Sequence, residues 1–421
     1  MKEYTGEKRL QAAAGNGEAR GVYKVGERVW FIAGFGASNA TLIEGEHSCT
    51  LVDSLNDSKM AELALAELGE LLAAKPVETL IYTHQHPDHT GGAGVLAAGA
   101  RQVIARRPDV PTYGRSGQLG RIGGLRGDRQ WGFSLTPEEA ISMGAGPLGE
   151  RGGKPCPLPV TRWMEGAELA LDLDGVPAVL LAAQGETDDQ TYLWLPEDRV
   201  VCCGDNYYQS WPNTAPIRGG QYRDVAAWVR SLDKLLTLPA EHLLPGHTRA
   251  LHGAIAIREE IALYRDALSW VLDETLRLLD EGLSFDQVAA AVALPERWRG
   301  QPALDEFYGS VAWTVRGICA GYLGWFDGDP AGLFPLAPDD RAQREVALMG
   351  GAERVAAAAA QALAEGECQW ALELCQTLRL AGEERGDALA TCRQALTELG
   401  RQAENACARH YFLTCAQELE G

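Results

Sequence analysis

Residues 83–92 read Thr83-His84-Gln85-His86-Pro87-Asp88-His89-Thr90-Gly91-Gly92, and they directly follow an apolar run at residues 77–82. That run predicts a buried β-strand, so the histidines should lie in the loop at its carboxyl end. Imidazole nitrogens and carboxylate oxygens are the ligands that zinc and similar divalent ions take in hydrolytic sites. We interpret this cluster as metal ligands. His84 and His86 are expected to face one ion. Asp88 and His89 are expected to face a second.

Three later residues also stand where predicted strands end, and they are Glu186, Asp205 and His247. Their placement matches that of the first cluster, so we expect all of them to converge on one edge of the fold. Glu186 would join His84 and His86, His247 would join Asp88 and His89, and Asp205 would bridge the two ions. Such a two-metal site clamps the attacking and leaving oxygens and lowers the pKa of bound water to ~7.

The order of elements predicts an α/β arrangement followed by helices. Short β-rich runs occupy residues 21–25, 29–32, 40–43 and 50–52, and a helix with apolar residues at helical spacing covers 60–71. Strands resume at 169–173, 178–181, 191–194, 199–202 and 242–244, whereas helical patterns dominate after about residue 253, for example at 261–279, 307–323 and 352–364. Glu365-Gly366 and Leu399-Gly400 suggest turns of stacked helix pairs. Residues 112–160 lack periodicity, which predicts a long functional loop.

Composition limits the partners and the compartment. The net charge of −20 argues against nucleic acid and against an anionic membrane surface as partners. An anionic substrate would therefore need local positive charge from metals or arginines. The chain shows no signal-peptide run and no apolar stretch of membrane-spanning length. The 10 cysteines form no C-x-x-C pair and most lie in apolar segments, which predicts buried thiols and a cytoplasmic protein.

The H-x-H-x-D-H signature, with its Gly204-Asp205 and Pro245-Gly246-His247 followers, resembles the metallo-β-lactamase superfamily. Most members have a histidine where Glu186 stands, and a glutamate there resembles the alkyl sulfatases, which hydrolyse alkyl sulfate esters. Further stretches similar to that branch lie at residues 38–45, 275–278, 281–283, 308–311, 322–330, 349–352 and 411–419. The resemblance thus covers most of the chain.

This resemblance implies an αββα metallo-β-lactamase sandwich over residues 1–255 and an α-helical dimerisation domain over 256–421 that makes a homodimer. It implies two zinc ions per chain, although the same ligands also suit manganese and iron. Arg218 falls where the family places an arginine that holds the sulfate group, and a guanidinium fork matches such an oxyanion. Asp88 and Arg218 are the expected catalytic residues. Asp53, at a strand end, is predicted to contact a ligand histidine.

The chain departs from the alkyl sulfatase pattern around the expected anion pocket. Asp205 replaces a glutamate, and Gln130-Trp131-Gly132-Phe133 replaces a Tyr-Gly-Asn segment that binds sulfate. We interpret Trp131, Phe133 and Trp211 as pocket walls, and Asn206 and Asn213 as pocket-lining residues. Where the family carries His-His-Trp-Pro, this chain has His247-Thr248-Arg249-Ala250, and Arg249 would replace some of the lost positive charge. The chain also ends where the family continues into a sterol-carrier-like domain.

Three alternatives stay open at this point. A phosphoester or phosphonate hydrolase would use the same metals and Arg218. A lactone or thioester hydrolase of this fold would not need an anion-binding arginine. A non-catalytic scaffold would bind metal and protein partners without turnover.

Overall fold

The structure is a computed structural model that describes residues 3–15, 17–109, 116–383 and 386–419. Two β-sheets form the centre of its first part. The first sheet has the order β1 (Gly21–Val25), β2 (Val29–Ala33), β3 (Ala40–Glu44), β4 (Cys49–Val52), β5 (Val77–Ile81), β6 (Gln102–Arg106) and β7 (Arg162–Met164). The second contains β8 (Glu168–Asp172), β9 (Pro177–Ala182), β10 (Thr191–Leu195), β11 (Val200–Gly204), β12 (His242–Pro245) and β13 (Leu251–His252), with β13 and β8 at its edges. The strands predicted from the sequence are confirmed.

Fifteen α-helices occur in the described residues. The first seven are α1 (Thr5–Ala14), α2 (Ser58–Ala74), α3 (Pro87–Thr90), α4 (Ala93–Leu96), α5 (Gly120–Trp131), α6 (Pro137–Ala140) and α7 (Val225–Thr237). The other eight are α8 (Ala254–Asp280), α9 (Phe285–Ala291), α10 (Val311–Leu323), α11 (Pro338–Leu348), α12 (Ala352–Glu365), α13 (Cys368–Leu380), α14 (Gly386–Gln402) and α15 (Ala406–Glu418).

The two sheets pack face to face and carry helices on their outer sides. Cys202 of β11 lies in the apolar core between the sheets, whereas Cys203 faces the opposite side, as strand periodicity requires. Helix α2 covers the outer face of the first sheet, and α7 and α8 cover that of the second. This arrangement is the predicted αββα sandwich.

Strand direction places several loops at one edge of this sandwich. Strands β4 and β5 are parallel, so the loops that follow them leave the first sheet at the same end. In the second sheet β9, β11 and β12 run in one direction, because β10 is antiparallel to both β9 and β11 and β12 is parallel to β11. A bridge between Ser38 and His247 joins the two sheets at this edge.

The C-terminal part is helical, as predicted, but one expected turn is wrong. Gly366 ends α12 in a left-handed conformation, with φ of 88°. Gly400, in contrast, lies inside α14, where a Cβ atom would come within 2.7 Å of the Leu413 side chain. A glycine is needed there because α15 packs closely against α14. The boundary at residue 255 stays a prediction, since α8 shares the apolar core over the second sheet.

The expectation of a structureless stretch at residues 112–160 is also wrong for its centre. Helix α5 forms there despite four glycines between Gly120 and Gly127, because α15 supplies its packing surface. Gln130 is buried, and Arg129 pairs with Glu418 at 3.0 Å. Gly132 ends the helix with φ of 65° and lies against the His410 ring. Residues 110–115 lie outside the described residues.

Two further features concern the cysteines and the helices. All 10 cysteines carry free thiols, and most of them are buried. Across the described parts of the chain, no helix combines the length and the apolar character that a membrane span requires. The cytoplasmic location stays a prediction.

Candidate metal centre

The first of two groups of metal-binding side chains contains His84, His86, Glu186 and Asp205, whose ligand atoms all lie within 4.8 Å of one another. His84 Nε2 and His86 Nδ1 are 3.0 Å apart, so both nitrogens point at the same small volume. Across it, His86 Nδ1 is 3.8 Å from a Glu186 oxygen and His84 Nε2 is 3.7 Å from an Asp205 oxygen. The first sheet thus supplies two histidines and the second supplies two carboxylates.

The second group contains Asp88, His89, Asp205 and His247, within the same 4.8 Å limit. Asp205 contacts both histidines, with oxygens 3.2 Å from His89 Nε2 and 3.0 Å from His247 Nε2. Asp88 Oδ2 is the fourth ligand atom of this group, 3.5 Å from His89 Nε2 and 3.4 Å from His247 Nε2. The Asp205 carboxylate therefore belongs to both groups. The structure brings together all seven residues that the sequence indicated as metal ligands.

Unpartnered buried atoms show that these side chains suit a cation. Within the part of the chain that the structure describes, His89 Nε2 and Asp205 Oδ1 are buried and lie 3.2 Å apart without forming a hydrogen bond, and the buried Glu186 Oε2 has no hydrogen-bond partner. Leaving such atoms unpaired is costly unless an ion completes their coordination. Imidazole and carboxylate donors match zinc, manganese and iron. The centre thus fits divalent metal ions.

Asp53 contacts a candidate ligand histidine, as predicted, and orients it through hydrogen bonds. It ends β4 with the left-handed φ of 57° and accepts hydrogen bonds from the Thr83 amide and hydroxyl, both at 2.8 Å. Its Oδ2 lies 2.9 Å from His89 Nδ1, which therefore carries the proton and leaves Nε2 free for a metal. The Thr83 hydroxyl also lies 3.0 Å from His84 Nδ1, and its proton goes to Asp53. Asp53 thereby sets the tautomers of both histidines.

The ligand histidines differ in their proton affinity. Burial lowers the pKa of His84 well below its ordinary value and that of His86 to about 3. Burial acts in the same direction on His89 and His247, but Asp205 and other carboxylates outweigh it. They raise the pKa of His89 well above its usual range and that of His247 to about 9. Protons and metal ions therefore compete for the second group.

Arg223 is a residue of this site that the sequence patterns did not indicate. It lies just before α7, it is buried, and its Nη1 donates hydrogen bonds to Glu186 Oε1 and to the Asn213 carbonyl. Burial raises the pKa of Glu186, and the Arg223 guanidinium opposes that rise. The only local signal was Asp224, a helix-capping residue that places Arg223 at the start of a helix.

Arg218 lies beside this centre, on the loop between β11 and α7. Its amide donates to Gln130 Oε1 at 2.8 Å, and its guanidinium lies over the Trp131 ring at 5.1 Å. Its Nη1 donates to the Gly219 carbonyl at 3.0 Å, whereas its buried Nε has no partner in the described residues. Arg218 is also among the groups that lower the pKa of His86, after burial and Arg223.

The predicted pocket walls divide into surface and core residues. Phe133 is 61% exposed and its ring lies 5.7 Å from that of Trp131, so this pair borders the Arg218 loop. Trp211 is fully buried, and its Nε1 donates to Thr314 at 2.9 Å. Its assignment as a pocket wall is wrong, because the helices over the second sheet enclose it.

The three predicted polar contacts lie in different environments. Asn206 is fully buried, donates to the Ala183 carbonyl at 2.6 Å and the Tyr192 hydroxyl at 2.9 Å, and accepts from the Glu186 amide at 3.3 Å. These bonds give it a role in holding Glu186, and its assignment as a pocket-lining residue stays a prediction. Asn213 is buried beside Arg223, whereas Arg249 is exposed. The roles of Asn213 and Arg249 in substrate binding stay predictions.

Comparisons with known proteins place this site in context. Two family profiles match: the metallo-beta-lactamase superfamily over residues 33–247 and alkyl sulfatase dimerisation over 284–421. A linear primary-alkylsulfatase from Pseudomonas sp. is 32% identical over 394 residues, 90% of this chain and 74% of that protein. The alkyl/aryl-sulfatase BDS1 of Saccharomyces cerevisiae is 29% identical, over 95% of this chain and 64% of that protein. The solved structure of the stereoselective inverting sec-alkylsulfatase Pisa1 from Pseudomonas sp. superposes with a TM-score of 0.89 at 26% identity, over 99% of this chain and 68% of that one.

Proposed function

Since the chain belongs to the alkyl sulfatases of the metallo-β-lactamase superfamily, we propose that it hydrolyses alkyl sulfate esters. One observation carries this proposal. The two ligand groups share Asp205, and Arg218, on the loop beside them, has a buried Nε without a partner among the described residues. The ligand groups suit hydrolysis, and the arginine suits a tetrahedral anion.

The proposed metal content is two zinc ions per chain, one in each ligand group. When bound, such ions supply the Lewis acidity that activates water and stabilises negative charge on the ester oxygens. His84, His86 and Glu186 would hold one ion, Asp88, His89 and His247 the other, and Asp205 both. Elemental analysis of purified protein tests the stoichiometry and distinguishes zinc from manganese or iron.

Arg218 and Asp88 have the proposed catalytic roles. The Arg218 guanidinium binds the sulfate oxygens, and its contact with the Trp131 ring fixes the orientation of the guanidinium plane. Asp88 has 31% of its side chain exposed, against 4% or less for His89, Asp205 and His247. Its open carboxylate therefore faces the approaching substrate and accepts a hydrogen bond from the attacking water, which orients that water.

The apolar part of the ester would lie beside the Arg218 loop. Trp131 and Phe133 offer two adjacent rings there, and Phe133 is largely exposed. Alkyl chains and aromatic rings associate through burial of apolar surface. Asn213 and Arg249 are proposed as further polar contacts of the substrate.

The test is turnover of a matched pair, an alkyl sulfate and the corresponding alkyl phosphate, by metal-loaded protein. Sulfate release by the wild type and its loss in His86→Ala would support the proposal. Arg218→Ala should lower sulfatase kcat/KM by about 10²–10³-fold, since an anion-stabilising donor is removed. Preferred turnover of the phosphate would indicate the phosphoester alternative. Lactone hydrolysis that persists in Arg218→Ala would indicate a lactone or thioester hydrolase. Metal binding without any turnover would indicate a non-catalytic scaffold.

We also propose that the chain forms a homodimer through its helical part. The dimerisation profile covers residues 284–421, and the segment 322–336 within it carries large exposed apolar side chains. Trp325 is 79% exposed and Phe334 is 96% exposed, with Leu323, Leu333 and Leu336 nearby in sequence. Apolar side chains exposed to this extent in one segment are typical of a protein–protein interface.

A further inference from the structure

We propose that Arg223 is a positioning residue that fixes Glu186 as a ligand of the first group. This inference rests on the proposed metal centre and extends it to a residue that is not itself a ligand. Arg223 would act by tying the Glu186 carboxylate to the backbone of the neighbouring Asn213 loop.

The contacts leave one Glu186 oxygen without a hydrogen-bond partner. Arg223 Nη1 donates to Glu186 Oε1 and to the Asn213 carbonyl, and both charged side chains are almost fully buried. Glu186 Oε2 is buried too and has no hydrogen-bond partner among the described residues. Arg223 therefore pairs with Oε1, the Glu186 oxygen that lies 3.8 Å from His86 Nδ1, and Oε2 remains unpartnered for a cation.

The segment around α7 holds both ends of Glu186. Asp224 begins this helix by accepting from the Ala226 amide at 2.9 Å, which fixes the backbone next to Arg223. Trp228, one turn further on, donates from Nε1 to the Asn206 carbonyl at 2.9 Å. The Asn206 side chain in turn accepts from the Glu186 amide. Backbone and carboxylate of Glu186 are thus anchored to one rigid element.

Such anchoring matters more for glutamate than for histidine. A glutamate side chain has more rotatable bonds, so more conformational entropy is lost when one oxygen is held at a metal. A hydrogen-bonded partner that fixes the carboxylate beforehand reduces this loss. Arg223 has an opposite effect as well, because its positive charge repels a cation. We infer that positioning outweighs this repulsion, since the shared carboxylate lies between the two charges.

The test compares Arg223→Met with Arg258→Met, a control at an exposed arginine of α8. Metal-free protein is titrated with Co²⁺ and followed by visible absorption and metal content, with the first group measured in a His247→Ala background and the second in a His86→Ala background. Removal of a residue that orients a ligand lowers metal affinity by about 10–100-fold. That loss is expected for the first group in Arg223→Met, with the second group and the control unchanged. Arg223→Lys should lose less metal affinity, because the lysine ammonium still reaches the Glu186 carboxylate although it no longer reaches the Asn213 carbonyl.

A first-group affinity that is unchanged or tighter in Arg223→Met would overturn the inference, because repulsion would then dominate.

A double-mutant cycle adds a second criterion. In a Glu186→His background the arginine has no carboxylate to hold, so Arg223→Met should then have no further effect. A loss of equal size in that background would also overturn the inference. If Arg223→Met does not fold, Arg223→Lys replaces it, and an affinity equal to wild type is the overturning result. If wild-type protein binds fewer than two ions, the proposed metal centre itself fails.

Discussion

Asp53→Asn should weaken metal binding without disturbing the fold. In the structure, one Asp53 oxygen accepts from the Thr83 amide, while the other faces two donors, the Thr83 hydroxyl and His89 Nδ1. An asparagine must keep its oxygen toward the amide, which places its NH₂ group against His89. The imidazole proton then moves to Nε2, the nitrogen that points at Asp205. A protonated nitrogen cannot bind a metal.

The size of the effect follows from the bond that is lost. A hydrogen bond between an imidazole and a carboxylate is worth about 1.5–3 kcal/mol, which corresponds to roughly ten- to a hundredfold in an equilibrium constant. The loss should be greatest for the group that contains His89. It should extend to His84, because the Thr83 hydroxyl, no longer donating to Asp53, is free to donate to His84 Nδ1. The folded state should persist, since asparagine also tolerates the left-handed φ of 57°.

The assay is competition between the protein and a chromophoric chelator for Zn²⁺, followed by sulfate release at saturating metal. Asp57→Asn is the matched control. Asp57 caps α2 by accepting from the amides of Lys59 and Met60, and asparagine is an equally good capping residue. If Asp53→Asn binds both ions as tightly as the control does, the tautomer argument is refuted.

Two further predictions concern the helical part. Burial lowers the pKa of His410, so the unfolded state binds a proton first as pH falls below about 6.5, and stability is lost there. Thermal melts at pH 5.5 and 7.5 should therefore differ more for wild type than for His410→Gln, and equal differences would contradict this. A Trp325→Ser/Phe334→Ser variant should elute at the chain mass of 45.4 kDa and wild type at twice that mass by light scattering, with Ile255→Ser as an exposed control. A variant that stays dimeric would place the interface elsewhere.

The sequence predicted the grouping of the seven candidate ligands well because these side chains follow strand ends. Strand periodicity located β5, β9, β11 and β12, and parallel directions brought the next residues to one edge. Four of the ligands lie within six positions of one loop, so their proximity needed little long-range information. The residue behind them, Asp53, was predictable for the same reason, since it ends the neighbouring parallel strand β4.

The residues that were misjudged depend on long-range packing. Arg223 pairs with Glu186 across 37 positions, and no local pattern encodes that pairing. Trp211 follows a strand, as the candidate ligands do, but helices over the second sheet bury it. Helix α5 is rich in glycine and forms against α15, which lies almost 300 positions later. Tertiary contacts decided each of these cases.

Each ligand group draws two side chains from the loop after β5 and two from the second sheet. Neither half of the sandwich can therefore complete a coordination sphere on its own. A chain whose halves have not yet docked, or have docked out of register, offers only half a site and should bind metal weakly. Metal binding would then require the two sheets to dock correctly, and a chain with misdocked sheets would lack the complete centre.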